Sequence, residues 1–145
     1  MITDKLLRVS QDQGAITSTA FSTDTIDLSV ARDVGEGTPL YMNFAVTTAF
    51  TGGGTVKFEV VTSANSNLSS PTVIGSSDAI TANTTLTLGK NVVVRLNPDM
   101  GGLGKRYLGA RYTVSGTVGA GKVTADVVET IGDGQKSYAS GFTVA

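Results

Sequence analysis

Two glycine-rich stretches and a few carboxylates are the places where this sequence could do chemistry. Gly116-Thr-Val-Gly-Ala-Gly121-Lys122 satisfies most of a phosphate-binding loop, in which glycine amides cradle phosphates and a lysine reaches the outer ones. The next residue should be Ser or Thr, to hold magnesium, and it is Val123. Such a loop must also open a helix, whose N-terminal amides complete the anion site, whereas the residues that follow alternate with the period of a strand. A second stretch, Gly101-Gly-Leu-Gly104-Lys105, departs further: Asp99 stands where the first glycine belongs and Arg106 where the hydroxyl belongs. Both read as glycine-rich turns, and no nucleotide or nucleic-acid partner is expected.

The carboxylates offer two further chemistries. A glycosidase working by carboxylates alone needs two acids about 5 to 9.5 Å apart across a cleft. Glu59 with Asp126 or Glu129 are the strand-borne candidates, and each also serves as an outward-facing solubilising charge. Calcium could use Asp24 and Asp27, or Asp33 and Glu36, yet no ligand run of a dedicated calcium loop is present. The chain of 145 residues contains no His, Cys or Trp, which excludes Ser–His triads, Cys–His dyads, the usual zinc sites and disulfides. The expectation is a protein without catalytic residues, cofactor or metal. A formal charge of −1 provides no field to gather phosphates. The N-terminus carries no apolar run of signal-peptide length, and no segment approaches the roughly 20 apolar residues that span a bilayer. Synthesis in a cytoplasm, with no membrane partner, is therefore expected.

The elements that would position these residues are strands. Residues 106–129 read as two long strands folded back on each other, with Leu108, Ala110, Tyr112 and Val114 on the apolar face of one arm and Val123, Ala125 and Val127 on the other. Closing the turn between Gly116 and Gly121 sets Tyr112 opposite Ala125 and Arg111 opposite Asp126, pairing large with small and plus with minus. Residues 39–48 and 55–63 alternate in the same way and read as a second hairpin, with Met42, Phe44, Val46, Val56, Phe58 and Val60 inside and Lys57 and Glu59 outside. Shorter strands are expected at 15–22, 25–30, 72–80, 84–88 (Leu86 and Leu88 inward) and 91–96. Leu68, in the polar turn at 64–71, reads as a plug at the edge of the core. Residues 32–37, RDVGEG, are a tight charged loop held by a contact of Arg32 with Asp33 or Glu36. Met100 and Leu103 give the loop at 97–104 an apolar tip, folded over the end of the domain or in contact with something else. Residues 1–14 form an N-terminal arm or short helix, because Ile2, Leu6 and Val9 follow a three-to-four spacing. Residues 15–145 form one all-β domain, a two-sheet antiparallel β-sandwich, whose apolar tail is a last strand or is docked.

The segments RDVGEG at 32–37, VKFEVVTS at 56–63, NLSSPTVI at 67–74, RYLGARYTVSGTVGAGKVTA at 106–125 and YASGFTV at 138–144 cover most of the chain in order. In these the sequence resembles the capsid cement, or decoration, proteins of tailed bacteriophages, in the family of the Bordetella phage cement protein. The loop at 97–104 is longer than that family leads one to expect. The resemblance implies a jelly-roll domain on the outer surface of the virion capsid, bridging adjacent copies of the major capsid protein of the expanded head. It also implies self-association, with a dimer favoured and a trimer as the alternative.

The candidate contact residues are the amphipathic arm (Ile2, Leu6, Leu7), the loop charges Arg32, Asp33 and Glu36, and the aromatic tail (Tyr138, Phe142). Arginine and tyrosine favour interface centres because they combine large area with polar reach. For Tyr138 and Phe142, packing within their own sandwich is the alternative role. Deleting the first ten residues is expected to weaken shell retention and leave the domain folded. The rival reading is a carbohydrate-binding sandwich, which Tyr41 and Tyr107 exposed side by side on one sheet would favour.

Overall fold

The computed structural model describes residues 3–131. A 3-10 turn, Lys5–Leu7, leads into ten strands: β1 (Arg8–Gln13), β2 (Ala20–Phe21), β3 (Ile26–Asp27), β4 (Tyr41–Thr51), β5 (Thr55–Ser63), β6 (Thr72–Ser76), β7 (Ile80–Thr81), β8 (Asn91–Arg95), β9 (Tyr107–Ser115) and β10 (Gly119–Val128), with one helical turn, α1 (Ala82–Thr85), before β8. They form two antiparallel sheets. The first has the order β1-β10-β4-β8; the second has the order β2-β9-β5-β6, with β3 also paired to β9 and β7 to β5. The chain passes repeatedly from one sheet to the other, which is the jelly-roll form of the β-sandwich.

The strands expected at 39–48, 55–63 and 106–129 are present, but neither expected hairpin is. β9 lies in the second sheet beside β5 and β10 in the first beside β4, so Tyr112 stands opposite Phe58 and Arg111 opposite Glu59, while Ala125 faces Phe44. Alternation identifies a strand and its buried face; it does not identify the neighbour. The connection from β4 to β5 and that from β9 to β10 are corners between sheets, and they interlock: the Gly54 N–H donates to the Thr117 carbonyl at 2.8 Å. A Cβ on Gly54 would lie 2.5 Å from the Ser115 carbonyl oxygen, so backbone fits against backbone here only without a side chain. Gly116, Gly119 and Gly121 of the phosphate-loop lookalike serve this corner and the start of β10, and Gly121 lies against the Phe50 ring.

Between the sheets, Phe44, Phe58 and Tyr112 meet with ring centroids 5.1 to 5.9 Å apart, in tilted and edge-on arrangements. The buried Tyr112 hydroxyl donates to Ser10 Oγ (2.7 Å), Ser10 donates to Gln13 Oε1 (2.7 Å), and Gln13 Nε2 donates to the Phe21 carbonyl (2.8 Å). With the Asp24 N–H donating to the Val9 carbonyl, this relay seals the open edge of β1. On the far side, the Asn97 N–H donates to the Ile74 carbonyl, so the β8 and β6 edges also meet.

Four sequence readings are corrected. The arm does not extend to residue 14: Arg8–Gln13 is a strand of the first sheet, with Val9 and Ser10 fully buried. Two irregularities in the β1–β10 register, and a positive φ of 44° at Asp12, hide its period in the sequence. Deleting ten residues would therefore cut into the sandwich. Residues 84–88 are not a strand, because Ala82–Thr85 is helical; Leu86 is buried as expected and Leu88 is 71% exposed. Leu68 is buried, but against Gly109 on the outer face of the second sheet rather than at the edge of the core. Finally, Glu59 and Asp126 are outward-facing yet only 4% and 3% exposed, each covered by its arginine partner.

Candidate interaction surface

The antiparallel registers gather three of the loops at one end. The starts of β1, β4, β6 and β9 and the ends of β3, β5, β8 and β10 lie there, so the turn at 3–7 and the loops at 28–40, 64–71 and 96–106 share it. The interlocked corners occupy the opposite end. Leu6 (83% exposed), Leu7, Val30 and Leu103 (46% exposed) are large apolar side chains left in solvent at the loop end. Their common place at one end of the fold makes that end the candidate contact surface.

The Asp4 carboxylate caps the turn that presents Leu6 and Leu7, accepting from the Leu6 N–H at 2.9 Å. Hollows flank the chain where it leaves β10. One of about 350 Å³ is lined by Asp4, Leu7, Val127, Val128, Glu129 and Thr130. The other, about 630 Å³, is lined by Thr38, Pro39, Tyr41, Glu129, Thr130 and Ile131. Ile131 carried no signal in the sequence and Tyr41 only one for a sugar platform, since their place here follows from where β4 begins and β10 ends.

The charged loop does not hold itself together as expected. Among the described residues Arg32 makes no ion pair with Asp33 or Glu36, and both Arg32 and Glu36 are exposed. Asp33 instead turns to the neighbouring loop, where its Oδ2 accepts from the Gly102 N–H and its Oδ1 from the Gly104 N–H, each at 2.7 Å. A Cβ on Gly104 would collide with the Arg32 carbonyl, so the two loops touch through their backbones. Met100 is buried beneath and Leu103 is left outside. Beside them, Arg106 makes two 2.8 Å hydrogen bonds to Asp27 and lies 5.1 Å from the centre of the Tyr107 ring. The guanidinium, assisted by the Ser29 N–H, holds the Asp27 carboxyl down to about 2.

Of the expected contact residues, Leu6, Leu7, Arg32, Asp33 and Glu36 are thus gathered at one end, while Ile2, Tyr138 and Phe142 lie outside the described residues. The acids considered for glycoside cleavage belong to different sheets, Glu59 on the outer face of the second, Asp126 on that of the first and Glu129 just past the end of β10 in the first. Among the described residues no cluster of three or more acids, His or Cys could hold a metal ion. Tyr41 and Tyr107 belong to different sheets, so the arrangement that would favour a sugar platform is not formed.

Fold and surface together define a jelly-roll β-sandwich with interlocked corners at one end and, at the other, clamped loops that leave Leu6, Leu7 and Leu103 in water. The chain belongs to the Bbp16 family, a Bordetella phage protein family, whose model matches residues 9–127, from the second residue of β1 to the last but one of β10. No curated protein matches the chain.

Proposed function

We propose that this phage protein is a non-enzymatic component of the virion that binds the outer surface of the expanded head and bridges adjacent major capsid protein subunits. The family match across the whole jelly roll carries this reading. The loop end, with Leu6, Leu7, Arg32 and Leu103 exposed, supplies the contact surface. DNA packed in a head pushes outward, and a bridging protein adds interface that must be broken before capsomers separate; a specific contact buries on the order of 800 Å² per partner. If the protein self-associates as a dimer, its second contact becomes effectively intramolecular, and modest affinities combine into strong retention. A site shared by two shell subunits exists only at the right spacing, so binding selects the expanded shell over its precursor.

Co-sedimentation of the purified protein with expanded and unexpanded heads of its phage tests the proposal. Saturable binding to expanded heads alone is the expected result, and its copy number reports the symmetry axis occupied. Binding to neither form overturns the reading.

A further inference from the structure

We infer that Asp33 is a positioning residue for the contact surface, acting through Leu103 rather than touching the partner itself; this rests on the capsid reading above. The sequence makes Asp33 one of three loop charges of equal standing. The geometry separates it from the others, because its two carboxylate oxygens are occupied by the amides of Gly102 and Gly104. Those amides lie on either side of Leu103. An ionised acceptor with two 2.7 Å bonds is among the stronger devices for fixing a loop.

The loop needs such a device. Gly101 and Gly102 have φ of 56° and 84°, and neither has anything near the place a Cβ would occupy; within the loop, the Leu103 N–H donates to the Met100 carbonyl at 3.0 Å, and the Asp33 clamp ties this turn to the neighbouring loop. Its flanks are anchored independently, by the burial of Met100 and by the Lys105 N–H donating to Thr62 Oγ1 at 2.9 Å. Between these anchors a leucine free to choose would turn toward apolar neighbours. The clamp keeps it half exposed. A rigid, exposed leucine loses little freedom when a partner covers it, whereas a loop that must first be ordered loses the corresponding affinity.

The test uses full-length wild type, Asp33→Ala, Leu103→Ser and the double variant, each titrated against expanded heads by co-sedimentation, with amide hydrogen exchange on the free proteins. In Asp33→Ala the Gly102 and Gly104 amides should lose protection while the core strands keep theirs. Its shell affinity should fall by about tenfold. Leu103→Ser should lose a similar factor with the clamp amides still protected, and the double variant should bind no more weakly than the worse single one, since one residue acts through the other. Asp33→Ala binding as tightly as wild type, or losses that multiply in the double variant, overturn the inference and leave the capsid reading standing. Wild type that binds no heads overturns both.

Discussion

The two ends of the sandwich are held by different proportions of backbone and side-chain contact. At the corner end, Gly54 and the Ser115–Thr117 backbone fit together with no room for a side chain, and a hydrogen bond from Gly54 to Thr117 closes the contact. At the loop end, side-chain clamps are added to the backbone contact of Gly104 with Arg32: Asp33 reaches across to Gly102 and Gly104, Asp27 binds Arg106, and Asp4 caps the turn bearing Leu6. Backbone interlocking leaves little to adjust, and Leu88, after α1, is an apolar side chain exposed at that end. Side-chain clamps can hold loops of varied length while leaving their apolar tips in solvent, so the loop end can be reshaped for a partner without disturbing the core.

Substitution at the corner should therefore cost the most stability. Gly54→Val forces a branched side chain against the Ser115 and Thr117 carbonyls and is expected to destabilise the fold by about 3 kcal/mol, as overpacking against an unyielding backbone does. Urea denaturation measures this. A midpoint within error of wild type would show that the corners are not the rigid end.

The outer face of the second sheet lies between these extremes. Glu59 on β5 accepts from Arg111 Nε (2.6 Å) and Thr113 Oγ1 (2.7 Å) on β9, with Lys57 3.7 Å away. Burial raises the Glu59 pKa, but Arg111 and Thr113 more than offset it, and the net shift is downward from 4.5. A carboxyl depressed in the folded state contributes stability that is complete above its unfolded value and lost as pH falls through the folded one. Asp27, held at about 2 against 3.8, acts in the same sense. The melting temperature should accordingly fall on acidification from about pH 4.5 toward pH 2. Glu59→Gln should cost about 2 kcal/mol at neutral pH and flatten that dependence, as loss of a charge-assisted bond does. An acid limb equally steep in the variant would place the pH sensitivity elsewhere.

These pairings explain how far the sequence could be read. Strict alternation revealed β4, β5 and the β9 and β10 arms, with Tyr112, Phe44 and Phe58 correctly inside, because burial of one face leaves a local mark. The partners leave none. Glu59 and Arg111 are 52 positions apart and Arg8 and Asp126 are 118 apart, so the local guess that joined Arg111 to Asp126 matched charge correctly and topology wrongly. The contact surface shows the same limit. Its glycines and charges marked residues 32–37 as a surface loop, yet the partners of Asp33 lie 69 and 71 positions away, and its bond to them could be seen only once the sheets had brought the loops together.

The smallest effect on stability should accompany a large effect on attachment. Leu6 and Leu7 stand on a turn ahead of β1, whereas Val9 and Ser10 are buried within the strand. Changing Leu6 and Leu7 together to Ser should alter stability by less than about 0.5 kcal/mol, as substitutions at exposed positions do, and removing residues 1–7 while keeping Arg8 for its 2.7 Å bond to Asp126 should leave the strands of the first sheet folded. If the loop end binds the shell, both variants should need a higher concentration to saturate expanded heads in co-sedimentation. Removal of ten residues should instead unfold the edge of the first sheet, lowering the melting temperature along with attachment. The seven-residue truncation thus isolates the surface from the fold: wild-type saturation by that variant would take the turn out of the contact surface and leave the clamped loops to carry it.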